Sequence, residues 1–70
     1  MFIVIEIQTA ADGKVATIVN SYASQNDAES KFHSILTAAA LSSLPVHSAI
    51  IMNEKAEVIR AEHYTHGGAD

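Results

Sequence analysis

The sequence predicts an α+β fold, ββαββ, with an antiparallel sheet, one helix packed across one face, and assembly as a homo-oligomer. Three observations lead there. Four segments rich in β-branched and apolar residues come as two pairs, each pair split by a short polar stretch. Between the pairs, SQNDAESKFHSILTAAALSS has apolar residues at helical spacing. The strands are apolar on both faces, more than one amphipathic helix can cover.

The first strand spans about Phe2 to Thr9. Met1, Ile3, Ile5 and Ile7 fall on one of its faces and Phe2 and Val4 on the other. Ala10, Ala11, Asp12 and Gly13 make a turn, because Asp-Gly supplies the positive φ of a tight hairpin. The second strand, about Lys14 to Tyr22, carries Val15, Thr17, Ile18 and Val19. In the helical stretch Asn26 is the expected N-cap, with Glu29 completing a capping box and Asp27 favouring the positive end of the dipole. Ala28, Phe32, Ile35 and Ala39 form its apolar stripe, widened by Leu36 and Ala40, and Pro45 forbids continuation.

Val46 to Met52 reads as a third strand, with Val46, Ile50 and Met52 on one side and Ala49 and Ile51 on the other. NEKAE is a polar hairpin loop led by Asn53. The fourth strand runs from Val58 to about His66, with Val58 and Tyr64 on one side and Ile59 and Ala61 on the other. One domain, 1–66, is expected, followed by a flexible C-terminal tail, 67–70.

A chain of 70 residues buries only about 60% of its unfolded surface and needs further support. There is no cysteine, so disulfides and thiolate zinc sites are excluded. A hydrophobic content of 49% against 17% charged residues favours self-association as that support. Each apolar strand side chain left wet forfeits about 1.5–3 kcal/mol. The even face of the first strand is therefore expected to meet another copy.

The net charge is −4, and the cations Lys14, Lys31, Lys55 and Arg60 are scattered, which argues against nucleic acid as a partner. No apolar run approaches the roughly 18 residues of a membrane span. The opening stretch lacks a basic n-region and is interrupted by Glu6, unlike a signal peptide. A cytoplasmic setting follows as the expectation.

Chemistry-bearing residues are sparse. In AEHYTHGG, His63 and His66 are spaced i, i+3, which on a strand points them to opposite faces and disfavours a shared metal. His33 reads as an exposed helix residue. Nothing groups a serine, a histidine and an acid into a triad, and Ser48 beside His47 is mere adjacency. Glu6, Glu57 and Glu62 would serve acid–base chemistry only if a dry pocket joined two of them. The three glycines form no phosphate loop. The reading is therefore not an enzyme, with no cofactor and no metal.

The candidate ligand site is Arg60, Tyr64, Tyr22, His66 and His47. Arg60, the only arginine, offers a planar fork for phosphate or carboxylate. Tyr64 lies four residues along the same strand, hence on the same face, at about 13 Å. His66 extends the row, while Tyr22 from the other hairpin and His47 could close a pocket at a subunit boundary. The competing reading pairs Arg60 with a glutamate such as Glu6 or Glu57 on a neighbouring strand.

The segments MFIVIEIQT, ADGKVATIVNSYAS, AESKFHSIL and LPVHSAIIMNEKAEVI resemble a group of small proteins from phages and prophages of gut bacteria. The resemblance implies a viral accessory or virion-associated protein in the cytoplasm of a bacterial host, and it transfers no functional residue. In size, oligomeric tendency and lack of catalytic residues the chain is also similar to the small phage proteins that sequester nucleotide signals of bacterial immunity. By that analogy it binds a nucleotide-type signalling molecule at subunit interfaces as an anti-defence sponge. The alternative is a structural or assembly component of a phage particle with no small-molecule ligand.

Overall fold

Alternating β-branched residues flanking two short turns give two hairpins, seen in a computed structural model that describes residues 1–66. The expected tail, 67–70, lies outside the described residues. The elements are β1 (Phe2–Thr9), β2 (Val15–Tyr22), α1 (Gln25–Leu41), β3 (Val46–Asn53) and β4 (Val58–Thr65). They form an α+β fold in which a four-stranded antiparallel sheet, ordered β2-β1-β3-β4, carries α1 across one face. The strand ends lie within a residue or so of those expected from the sequence.

Both hairpins turn the same way. Ala10 N–H bonds the Lys14 carbonyl and Gly13 N–H the Ala10 carbonyl, at 2.8 and 2.9 Å. Asn53 N–H bonds the Glu57 carbonyl and Ala56 N–H the Asn53 carbonyl, at 3.1 and 3.0 Å. Gly13 takes the required positive φ of 86°, and in the second turn Ala56 takes it at 62°. Asn53 supports that turn, its Oδ1 accepting from the N–H groups of Lys55 and Glu57.

The helix is capped by Ser24, not by the expected Asn26. Ser24 has extended backbone, and its hydroxyl oxygen accepts from Asp27 N–H at 3.3 Å. Asn26 thus lies inside the helix, and Glu29 is drawn to Arg60 instead of closing a capping box. At the other end Ser42 has extended backbone, and Leu44 N–H donates to its hydroxyl just before Pro45.

The helical stripe is the one the spacing implies: Ala28, Phe32, Ile35 and Ala39 are buried, Leu36 is half-buried, and Ala40 is exposed. Ala28, Phe32 and Ile35 pack with Val4, Ala49 and Ile51, with Phe2, Tyr22, Leu36 and Ile59 at the margin. Val4 and Ile51 are both fully buried. The even face of β1 is thus the covered core face, which corrects the expectation that it meets another copy. The reason is steric: Ala28 and Ala39 on the helix and Ala49 on the sheet, all buried, are small enough to let α1 lie close on that face.

The registers place Ile3, Ile5 and Ile7 on the opposite, open face, in line with Val15 and Val19 of β2 and Val46, Ile50 and Met52 of β3. β4 joins them through Val58 and Ala61, after a bulge opposite Ile51/Met52. The bulge also corrects the strand-four pattern. Val58 and Tyr64 lie on opposite faces, and Ile59 packs against the core while Ala61 is on the open face. The described residues measure 39 × 20 × 15 Å, the thinness of a sheet with one layer of helix on it. Among the described residues no helix is long and apolar enough to cross a membrane.

Candidate functional site

A polar residue on an apolar strand face needs a partner once a helix covers it. On β1 that residue is Glu6, which shares the core face with Val4. Its carboxylate oxygen lies 2.6 Å from His47 Nε2 on β3 and accepts from Gln8 Nε2 at 2.9 Å. His47 Nδ1 in turn lies 3.1 Å from the Ser42 hydroxyl at the end of α1. A carboxylate can only accept, so His47 carries a proton on Nε2 and donates it to Glu6, while its Nδ1 meets the Ser42 hydroxyl. Burial raises the Glu6 pKa, but the hydrogen bonds from Gln8 and His47 and the charges of His47 and Lys31 outweigh it. The carboxyl ends below its ordinary value.

This serine–histidine–acid chain joins residues 36 and 41 positions from Glu6, and sequence reasoning missed it. The available signal was that Glu6 and His47 both sit on otherwise apolar core faces. Connectivity alone does not make it catalytic. Ser42 lies at the C-terminal end of α1, where the helix dipole opposes an alkoxide or a developing oxyanion. Its oxygen already receives Leu44 N–H. What the chain does is fasten the end of α1 to the two central strands. No buried polar side-chain atom among the described residues lacks a partner.

The ligand residues read from the sequence are dispersed. Arg60 and Tyr64 share the helix-side face of β4, as their spacing implies. Arg60 is paired, not with Glu6 or Glu57, but with Glu29 of α1, its Nε 2.9 Å from both carboxylate oxygens. That hydrogen bond holds the Glu29 carboxyl below its ordinary pKa. Tyr64 stacks on His66 at 6.4 Å, and His66 Nε2 donates to the Ala39 carbonyl. Tyr22 lies on β2, at the opposite edge of the sheet, and packs against the core. His47 is buried in the network with Glu6. Within one protomer, then, Arg60, Tyr64 and His66 share a neighbourhood with buried His47, the cross-strand partner of Tyr64, and Tyr22 stands apart.

Beside Tyr64 a shallow groove of ≈ 520 Å³ runs along α1 past His33, Leu36, Thr37, Ala40 and Leu41. On the open face a hollow of ≈ 340 Å³ is bordered by Ile7, Ile50, Ala61 and His63. His63 and His66 point to opposite sides, and no metal-holding group of three His, Asp or Glu side chains occurs among the described residues.

The open face itself is chemically distinct. Each strand contributes four positions to it, and among the described residues none of them is Asp, Glu, Lys or Arg. The ionic side chains of the strands, Glu6, Arg60 and Glu62, all lie on the helix side. No family model, no curated protein and no solved structure matches this chain.

Proposed function

We propose that this chain is an assembly component, a small phage-type accessory subunit that works in the bacterial host cytoplasm by binding copies of itself. The observation that carries the reading is the uncharged open face. Its occupant is a second copy, because two such faces meet without stranding a charge, whereas a polar partner would bury unpaired groups. The dimensions support it. Four strands about 4.8 Å apart, each of eight residues rising about 3.4 Å, present on the order of 500 Å² per copy. A pair then buries roughly 1,000 Å², the lower bound of a specific interface. Two sheets packed this way lie about 10 Å apart with their strands nearly aligned.

Ile5→Glu places a charge at the middle of β1 on this face. The variant keeps its α+β circular dichroism and loses mass in light scattering as the face-to-face contact opens. A folded Ile5→Glu protein with the wild-type mass would remove the reading.

A second reading, binding of a nucleotide-type signal, is favoured by one observation: the exposed Tyr64, stacked on half-buried His66, beside the groove on α1. A phosphate there meets an Arg60 whose Nε already pairs with Glu29, in a chain with a net charge of −4. Calorimetry with cyclic dinucleotides and ADP-ribose derivatives separates the two. The assembly reading gives no heat, while binding abolished by Arg60→Ala or Tyr64→Ala would establish the sponge.

A further inference from the structure

The two outer strands of the sheet are protected very differently. β4 carries Arg60 and Glu62 and is bent by the bulge, both devices that discourage a further strand. β2, VATIVNSY, has no charged residue, no proline and an unbroken register with β1. Among the described residues nothing pairs with its outer side.

The hydrogen-bond alternation of an antiparallel ladder shows which groups face outward. Ala10 and Lys14 are a bonded pair, so the even residues of β2 bond to β1 and the backbone groups of Val15, Thr17, Val19 and Ser21 point away. Ile18 lies on the helix side near the middle of the strand, yet it is 47% exposed because α1 does not cover it.

We propose that β2 pairs antiparallel with β2 of a second copy, about a two-fold axis at Ile18, to make a continuous eight-stranded sheet. In this register Thr17 bonds with Val19 of the partner subunit and Val15 with Ser21 of the partner subunit. Ile18 meets Ile18 of the partner subunit at the close spacing of a non-hydrogen-bonded pair, which covers the exposed side chain. A two-fold contact suits a strand without charges, since no like charges face each other across the axis. It also closes: both β2 edges are consumed, and the guarded β4 edges end the sheet instead of extending it. This contact is independent of the open face and leaves that face free for a second pairing.

Amide hydrogen exchange on the wild-type protein tests it directly. The outward amides of Thr17, Val19 and Ser21 exchange at least about tenfold more slowly than the outward amides of Ala61, His63 and Thr65 on β4. Proline at position 17 removes only an outward N–H, so Thr17→Pro keeps the β1–β2 ladder, halves the assembled mass and frees the β2 amides, while Thr17→Ala behaves as wild type. Equal exchange at the two edges overturns the proposal, as does a folded Thr17→Pro protein of wild-type mass. If Thr17→Pro does not fold, the wild-type exchange pattern decides. Loss of mass in Ile5→Glu with β2 still protected would locate the two contacts on separate surfaces.

Discussion

Ala56 occupies a position where the second hairpin requires a positive φ, 62°, and where the first hairpin has Gly13. The Cβ of an L-residue is crowded in that conformation, and glycine is not. Ala56→Gly raises stability by about 0.5–1 kcal/mol, read as an upward shift of the melting midpoint at fixed protein concentration. The Glu6–His47–Ser42 chain makes a second demand at this scale. The folded pKa of Glu6 is lowered below the reference 4.5, so its contribution to stability is complete above that value and is lost as pH falls through the folded one. Acid unfolding of Glu6→Gln is accordingly flatter below that pH than in the wild type. Glu29 and Glu54 shift the same way, but Glu54 is exposed and Glu29 pairs with a largely exposed Arg60, so solvent and salt screen both pairs. None of this chain was legible beforehand. Strand alternation shows that Glu6 and His47 sit among apolar neighbours, but not that β1 and β3 lie side by side, which only the crossover through α1 decides.

At the scale of elements, periodicity identified the pieces and their extents, because each apolar stripe is set by local geometry. The buried helical residues are the four whose spacing marked them. Capping was less legible: two candidates, Ser24 and Asn26, lie two residues apart, and only the side chain that reaches Asp27 N–H is the cap. Ser24→Ala therefore costs about 1 kcal/mol, while Asn26→Ala leaves the melting temperature nearly unchanged. A reversed order would place the start of the helix at the residue the sequence suggested. The β4 bulge was invisible in the sequence, since Val58, Ile59 and Ala61 read equally well in an unbroken strand. It moves Ile59 to the core and leaves Tyr64 across the sheet from Val58.

For the whole molecule, the excess of apolar residues was legible and its location was not. Both faces of β1 carry apolar residues, and which one the helix covers depends on how its buried stripe fits over Val4, Ala49 and Ile51, a matter of three-dimensional packing. The covered face also collects the ionic side chains of the strands, so the open face is left uncharged, with Val15 and Val19 each 60% exposed and Val58 58% exposed in the isolated chain. The same logic dispersed the ligand residues, because Tyr22 and Tyr64 sit on the two outer strands with β1 and β3 between them. Sedimentation equilibrium of the wild-type protein at micromolar concentration tests this most directly. The expected result is a closed assembly of more than one copy whose mass is a whole multiple of the 7.5 kDa chain. A stable, folded monomer of 7.5 kDa across that range would contradict it.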